Sequence, residues 1–102
     1  MKTTIVTELL KVEAKQTTTD EQMIAGADII NDFLQKQDGF IDAELVKGTE
    51  GNAWYFIYHI ENFQKLKAVG EKLRASKLFD GINPLVVPGS MSVTFYSQFR
   101  KW

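Results

Sequence analysis

The sequence predicts an α+β fold of the ferredoxin-like βαββαβ type: a four-stranded antiparallel sheet with two helices on one face. Three observations carry this. Four stretches alternate with period two, two stretches place apolar residues at helical spacing, and they succeed one another in the order β-α-β-β-α-β. The chain has 102 residues and a mass of 11.6 kDa, which is room for one such domain spanning 1–102.

In the first stretch, about 5–14, Val6, Leu10, Val12 and Ala14 share one parity, against Thr7, Lys11 and Glu13 with Ile5 and Leu9. Thr19 then opens a helix. It can cap the amide of Gln22 while the Gln22 side chain reaches back. Met23, Ala27, Ile30 and Leu34 follow at spacings of four, three and four, so the first helix is expected from 20 to 37. Gly39 is expected in the left-handed position after it, with Phe40 folding back onto Leu34.

The second strand, 40–47, sets Ile41, Ala43 and Leu45 against Asp42, Glu44 and Lys47, and 48–52 is a turn of hairpin length. The third strand, 53–60, carries Trp54, Phe56, Tyr58 and Ile60 on one parity and Ala53, Tyr55, Ile57 and His59 on the other. Neither side is plainly polar. Asn62 caps a second helix with the stripe Leu66, Val69, Gly70 and Leu73. A short extra turn is expected over 76–81, and 83–90, holding Pro84, Pro88 and Gly89, reads as loop. The fourth strand, 91–99, sets Met91, Val93, Phe95 and Phe99 against Ser92, Thr94, Tyr96 and Gln98.

Right-handed crossovers place both helices on one face and the first and third strands at the centre. The other face is then uncovered. If Trp54, Phe56 and Tyr58 point away from the helices, they expose, after partial cover by neighbours, an area that rivals or exceeds the roughly 300–600 Å² patch usual on a monomer. If Tyr55, Ile57 and His59 do so, Leu9, Ile5, Tyr96 and Phe40 join them. A tail or loop covering the face is the plainer alternative, but residues 83–90 are too short to do it fully, so a homodimer packed sheet to sheet is the expectation favoured.

Composition narrows the function classes. Twelve Lys and Arg against thirteen Asp and Glu give a formal net charge of −1, which lacks the basic footprint of nucleic-acid binding. With no Cys and one His, neither thiolate nor multi-His metal sites can be built, and no metal is expected. The N-terminal apolar stretch is interrupted by Glu8 and Lys11, so neither a signal peptide nor a membrane span is expected, and a cytoplasmic location follows. No Walker or Rossmann glycine loop is present, and Ser90 and Ser92 lack a nucleophile elbow.

The chain resembles the antibiotic-biosynthesis monooxygenase superfamily of dimeric α+β barrel proteins over nearly its whole length. The resemblance lies in the element order, the Gly39-Phe40 entry to the second strand, and the aromatic third strand running into Glu61-Asn62-Phe63. It implies an obligate dimer whose two sheets form a barrel, and a pocket between sheet and helices in each protomer. The activities it implies include cofactor-independent, quinone-forming monooxygenation and haem degradation. Two departures stand out. Ile60 occupies a position where a Trp is common, and the second helix has no His from Phe63 to Leu73. The latter removes the axial ligand that haem chemistry would use, and no cofactor is expected.

His59 is the one side chain whose ordinary pKa suits general-base work near neutrality, and it stands where a strand runs into a helix. A partly buried interface histidine would look the same. Glu8 interrupts the apolar row of Val6, Leu10 and Val12, where burial would raise its pKa and make a pocket acid; a solvated strand-end Glu is the plainer alternative. Trp54, Tyr55, Tyr58 and Tyr96 offer stacking area and phenol donors for a planar ligand, and equally serve as packing. Three functions compete: a monooxygenase-like enzyme oxidising an aromatic or polyketide-like molecule, a non-catalytic small-molecule binding or sensing dimer, and an RNA-binding sheet. The last lacks both the aromatic on the first strand and the basic surface.

Overall fold

A computed structural model describes residues 4–102 and contains the expected order of elements: β1 (Val6–Glu13), α1 (Asp20–Leu34), β2 (Phe40–Lys47), β3 (Ala53–Ile60), α2 (Phe63–Ser76) and β4 (Ser92–Ser97). The sheet is antiparallel in the order β2-β3-β1-β4, with β1 and β3 central. The fold class read from the sequence is borne out.

Pairing settles which face of β3 meets the helices. Val6, Leu10 and Val12 stand opposite Ile60, Phe56 and Trp54, and all six are buried. Above them lie Met23, Ile30 and Leu34 of α1 and Leu66, Val69 and Leu73 of α2, completing one core. The bulkier parity of β3 is thus the inner one, because only it fills the space beneath two helices. Tyr55, Ile57 and His59 face the open side with Leu9, Thr7 and Tyr96.

Local chemistry fixes the element ends. The Thr19 hydroxyl accepts from the Gln22 amide at 3.2 Å and Gln22 Oε1 accepts from the Thr19 amide at 2.8 Å, the expected reciprocal cap. Asn62 Oδ1 accepts from the Lys65 amide at 2.9 Å at the start of α2. Helix α1 ends three residues short of the expectation. There the amides of Lys36 and Gln37 turn back to the carbonyls of Phe33 and Leu34, tightening the chain into turns. Gly39 does take a left-handed conformation, φ 87°, but at the entry to β2 rather than at the helix cap. A Cβ there would also lie 2.5 Å from the Lys65 side chain, so glycine is required twice over.

Four other expectations are corrected. A bulge between Phe40 and Asp42 breaks the alternation of β2. Phe40 consequently turns inward, opposite Ile60 and packed on the core, and Ile41 takes the exposed position expected of Phe40. Lys47 lies on the helix side, opposite Trp54, with its Nζ 5.4 Å over the indole and 3.0 Å from Asp20. Strand β4 spans only 92–97 because its single neighbour, β1, begins opposite Ser97. Within 83–90, Asn83–Leu85 forms a 3-10 turn, and Val86 bridges Ala14.

Candidate functional site

Glu8 sits in the inner row of β1, between Tyr58 on β3 and Phe95 on β4. It borders a cleft of about 260 Å³ between α2 and the β1–β4 edge. Phe63 and Phe95 form one wall, edge to face at 6.1 Å and 90°. Gly70 and Arg74 of α2 form the other, with the Arg74 Nη1 3.6 Å from where a Cβ at position 70 would stand, an ordinary contact distance. Burial pushes the Glu8 pKa up, and the Arg74 charge pulls it partly back. A carboxylate held in this way takes or gives a proton closer to neutrality than a solvated one.

Tyr58, directly across from Glu8, is buried, and its hydroxyl has no hydrogen-bond partner among the described residues. Burial, and then the neighbouring Glu8 charge, raise its pKa, so it remains a neutral phenol.

His59 stands on the opposite face of the sheet. Its Nδ1 lies 2.6 Å from Asp42 Oδ1, an alignment created by the β2 bulge, which sets Asp42 opposite His59. The contact orients the ring, with Nδ1–H donating to the carboxylate. A cleft of about 280 Å³ opens here, bordered by Ile5, Ile41, Gln98 and Arg100 as well as the His–Asp pair.

The six residues singled out in the sequence therefore divide by face. Glu8, Trp54 and Tyr58 lie beneath the helices, whereas His59, Tyr55 and Tyr96 lie on the open side. Glu8 and His59 share no cleft, and none of the four aromatics borders the cleft at His59. Trp54 is core. Sequence reasoning missed Asp42, Arg74 and the Phe63–Phe95 wall. Gly70, a small residue four before Arg74 in an otherwise apolar stripe, was the one signal that α2 leaves space beside Glu8. Nothing local could have paired Asp42 with His59, since that contact depends on a bulge.

No family profile and no curated protein matches the sequence. Solved structures do match. SnoaB, a cofactor-independent oxygenase from Streptomyces nogalater, superposes with a TM-score of 0.79 at 10% identity, covering 96% of each chain. A monooxygenase from the ActVA-Orf6 gene of Streptomyces coelicolor, solved in complex with nanaomycin D, gives a TM-score of 0.79 at 15% identity over 97% of this chain and 91% of that one. Rv0793 from Mycobacterium tuberculosis gives 0.77 at 11% identity over 95% and 97%. The chain thus shares the α+β fold of these three proteins, the fold that its sequence resemblance implied. Among the described residues no helix is long and apolar enough to cross a membrane.

Proposed function

We propose that the protein is a cofactor-independent monooxygenase for a phenolic or enolisable aromatic molecule, with Glu8 as the general base, working as a homodimer joined through its open sheet faces. The observation that supports this most is Glu8 itself, a carboxylate in a core row, made more basic by burial and aimed at an aromatic-walled cleft. A substrate packed against the Phe63–Phe95 wall would lose its acidic proton to Glu8, and Arg74 would balance the resulting anion. Such an anion is electron-rich enough to reduce dioxygen directly. The carbon of the anion bonds to one oxygen, Glu8 returns its proton to the resulting peroxide anion, and loss of the remaining C–H proton with cleavage of the O–O bond releases water and leaves a new carbonyl. This assigns proton removal to Glu8 rather than to His59, which faces away from the cleft. The dimer is supported by Leu9, Tyr55 and Ile57 at the centre of the open face and by Tyr96, 52% exposed, beside them.

Oxygen uptake with 1,8-dihydroxyanthrone, whose oxidation to the anthraquinone follows this stoichiometry, tests the reading. Glu8→Gln is expected to lower kcat by about a hundredfold or more, and His59→Ala to leave it within about twofold. Undiminished turnover by Glu8→Gln would sink the assignment. Binding of the anthrone without any oxygen uptake would instead favour the non-catalytic binding dimer.

A further inference from the structure

Helix α2 contains one glycine, Gly70, near the middle of its fourteen residues. Glycine is the poorest helix former after proline, so at such a position alanine would be the more stable choice unless the fold forbids it. The fold does not. The backbone at Gly70 is ordinary helix, without the left-handed conformation that calls for glycine at Gly39. No close approach calls for it either. Outside the helix's own backbone, and among the described residues, a Cβ at position 70 would meet only Arg74 Nη1, at 3.6 Å. The mid-helix glycine of α1 is the contrast, since a Cβ at Gly26 would collide with the buried side chain of Ile82.

What Gly70 does face is the cleft at Glu8. Leu66, Lys67, Glu71 and Arg74 line that cleft from the turns on either side of it. A side chain at 70 would stand in the cleft, because the one atom it would touch belongs to another lining residue. Distance along the helix decides which ligands would meet it. Phe63, which forms the aromatic wall with Phe95, precedes Gly70 by seven residues, about 10 Å along the axis. Side chains lean toward a helix N-terminus, so the Phe63 ring lies no nearer than that spacing suggests. A molecule packed against the wall reaches the bare backbone at Gly70 only if it is about as long as three fused rings; a shorter one stops before it. In a cleft of about 260 Å³, a ligand that fills the space feels one added methyl.

We infer that Gly70 is a specificity-determining residue of the cleft at Glu8: its missing side chain leaves the space taken by the far ring of an extended, three-ring aromatic substrate. This rests on the reading of that cleft as the substrate site. Alanine would strengthen the helix and close the space, so at this position helix stability is given up for room.

Equilibrium binding of 1,8-dihydroxyanthrone and 1,8-dihydroxynaphthalene, measured without oxygen so that nothing turns over, tests this. The two share their paired hydroxyls and differ by a ring. Gly70→Ala is expected to bind the anthrone about tenfold more weakly than the parent protein and the naphthalene diol within about twofold, while melting no lower. Unchanged anthrone affinity in Gly70→Ala, equal weakening of both ligands, or a lower melting temperature would each overturn the inference. So would an absence of anthrone binding to the parent protein up to its solubility limit. The chemistry assigned to Glu8 is judged separately, by oxygen uptake. Anthrone that binds with the expected pattern but consumes no oxygen defeats the monooxygenase reading and leaves the role of Gly70 standing.

Discussion

A carboxylate among Val6, Leu10 and Val12 is retained against its own desolvation, and the raised pKa that results is what the proposed base role of Glu8 rests on. The sign of the linkage follows from the raised pKa. The group contributes most to stability when protonated, at low pH, and that contribution is lost as pH rises through its folded-state pKa. Activity should run the other way, since a general base works only once deprotonated. The rate is therefore expected to climb through the raised Glu8 pKa, and Arg74→Gln to move that climb to higher pH, because it removes the charge that favours the ionised form. A pH–rate profile of the two proteins checks this; coincident profiles would separate Arg74 from the proton transfer. Glu8 and Tyr58 were legible in the sequence as exceptions, a charge in an apolar row and phenols in an aromatic one. Arg74 and Asp42 were not, because on an exposed helix turn and an edge strand charged residues are the rule.

At the scale of elements, most of the chain is set by short-range chemistry. The reciprocal cap at Thr19 and Gln22 satisfies two amides that a helix start otherwise leaves to solvent. Thr19→Ala is expected to destabilise the protein by about 1 kcal/mol, read as a lower urea midpoint at unchanged slope. The alternation of β1 and β3 and the stripes of α1 and α2 are likewise visible in sequence order. Element ends fare less well where a neighbour decides them. Strand β4 stops because β1 does, and β2 changes faces at Ile41 because a bulge inserts one residue opposite β3. That insertion is what delivers Asp42 to His59.

At the scale of the molecule, the helices cover one face of the sheet and leave the other with Leu9, Tyr55, Ile57 and Tyr96. Phe99 and Trp102, each 98% exposed, add two further aromatics that the described fold leaves almost wholly uncovered. The proposed dimer predicts sedimentation at twice the chain mass of 11.6 kDa. Ile57→Lys, a charge at the centre of that face, is expected to give monomers with unchanged far-ultraviolet dichroism. A wild-type protein that stays monomeric at high concentration would refute the dimer. By itself, the order of residues determined the element types, their succession and the existence of an apolar second face, since periodicity, caps and turns act within a few residues. Only the folded sheet decided which parity of β3 lies inward, and it separated Glu8 from His59 by a layer of backbone. Register and bulges couple strands that are distant in the chain, so no local pattern encodes which side chains finally meet.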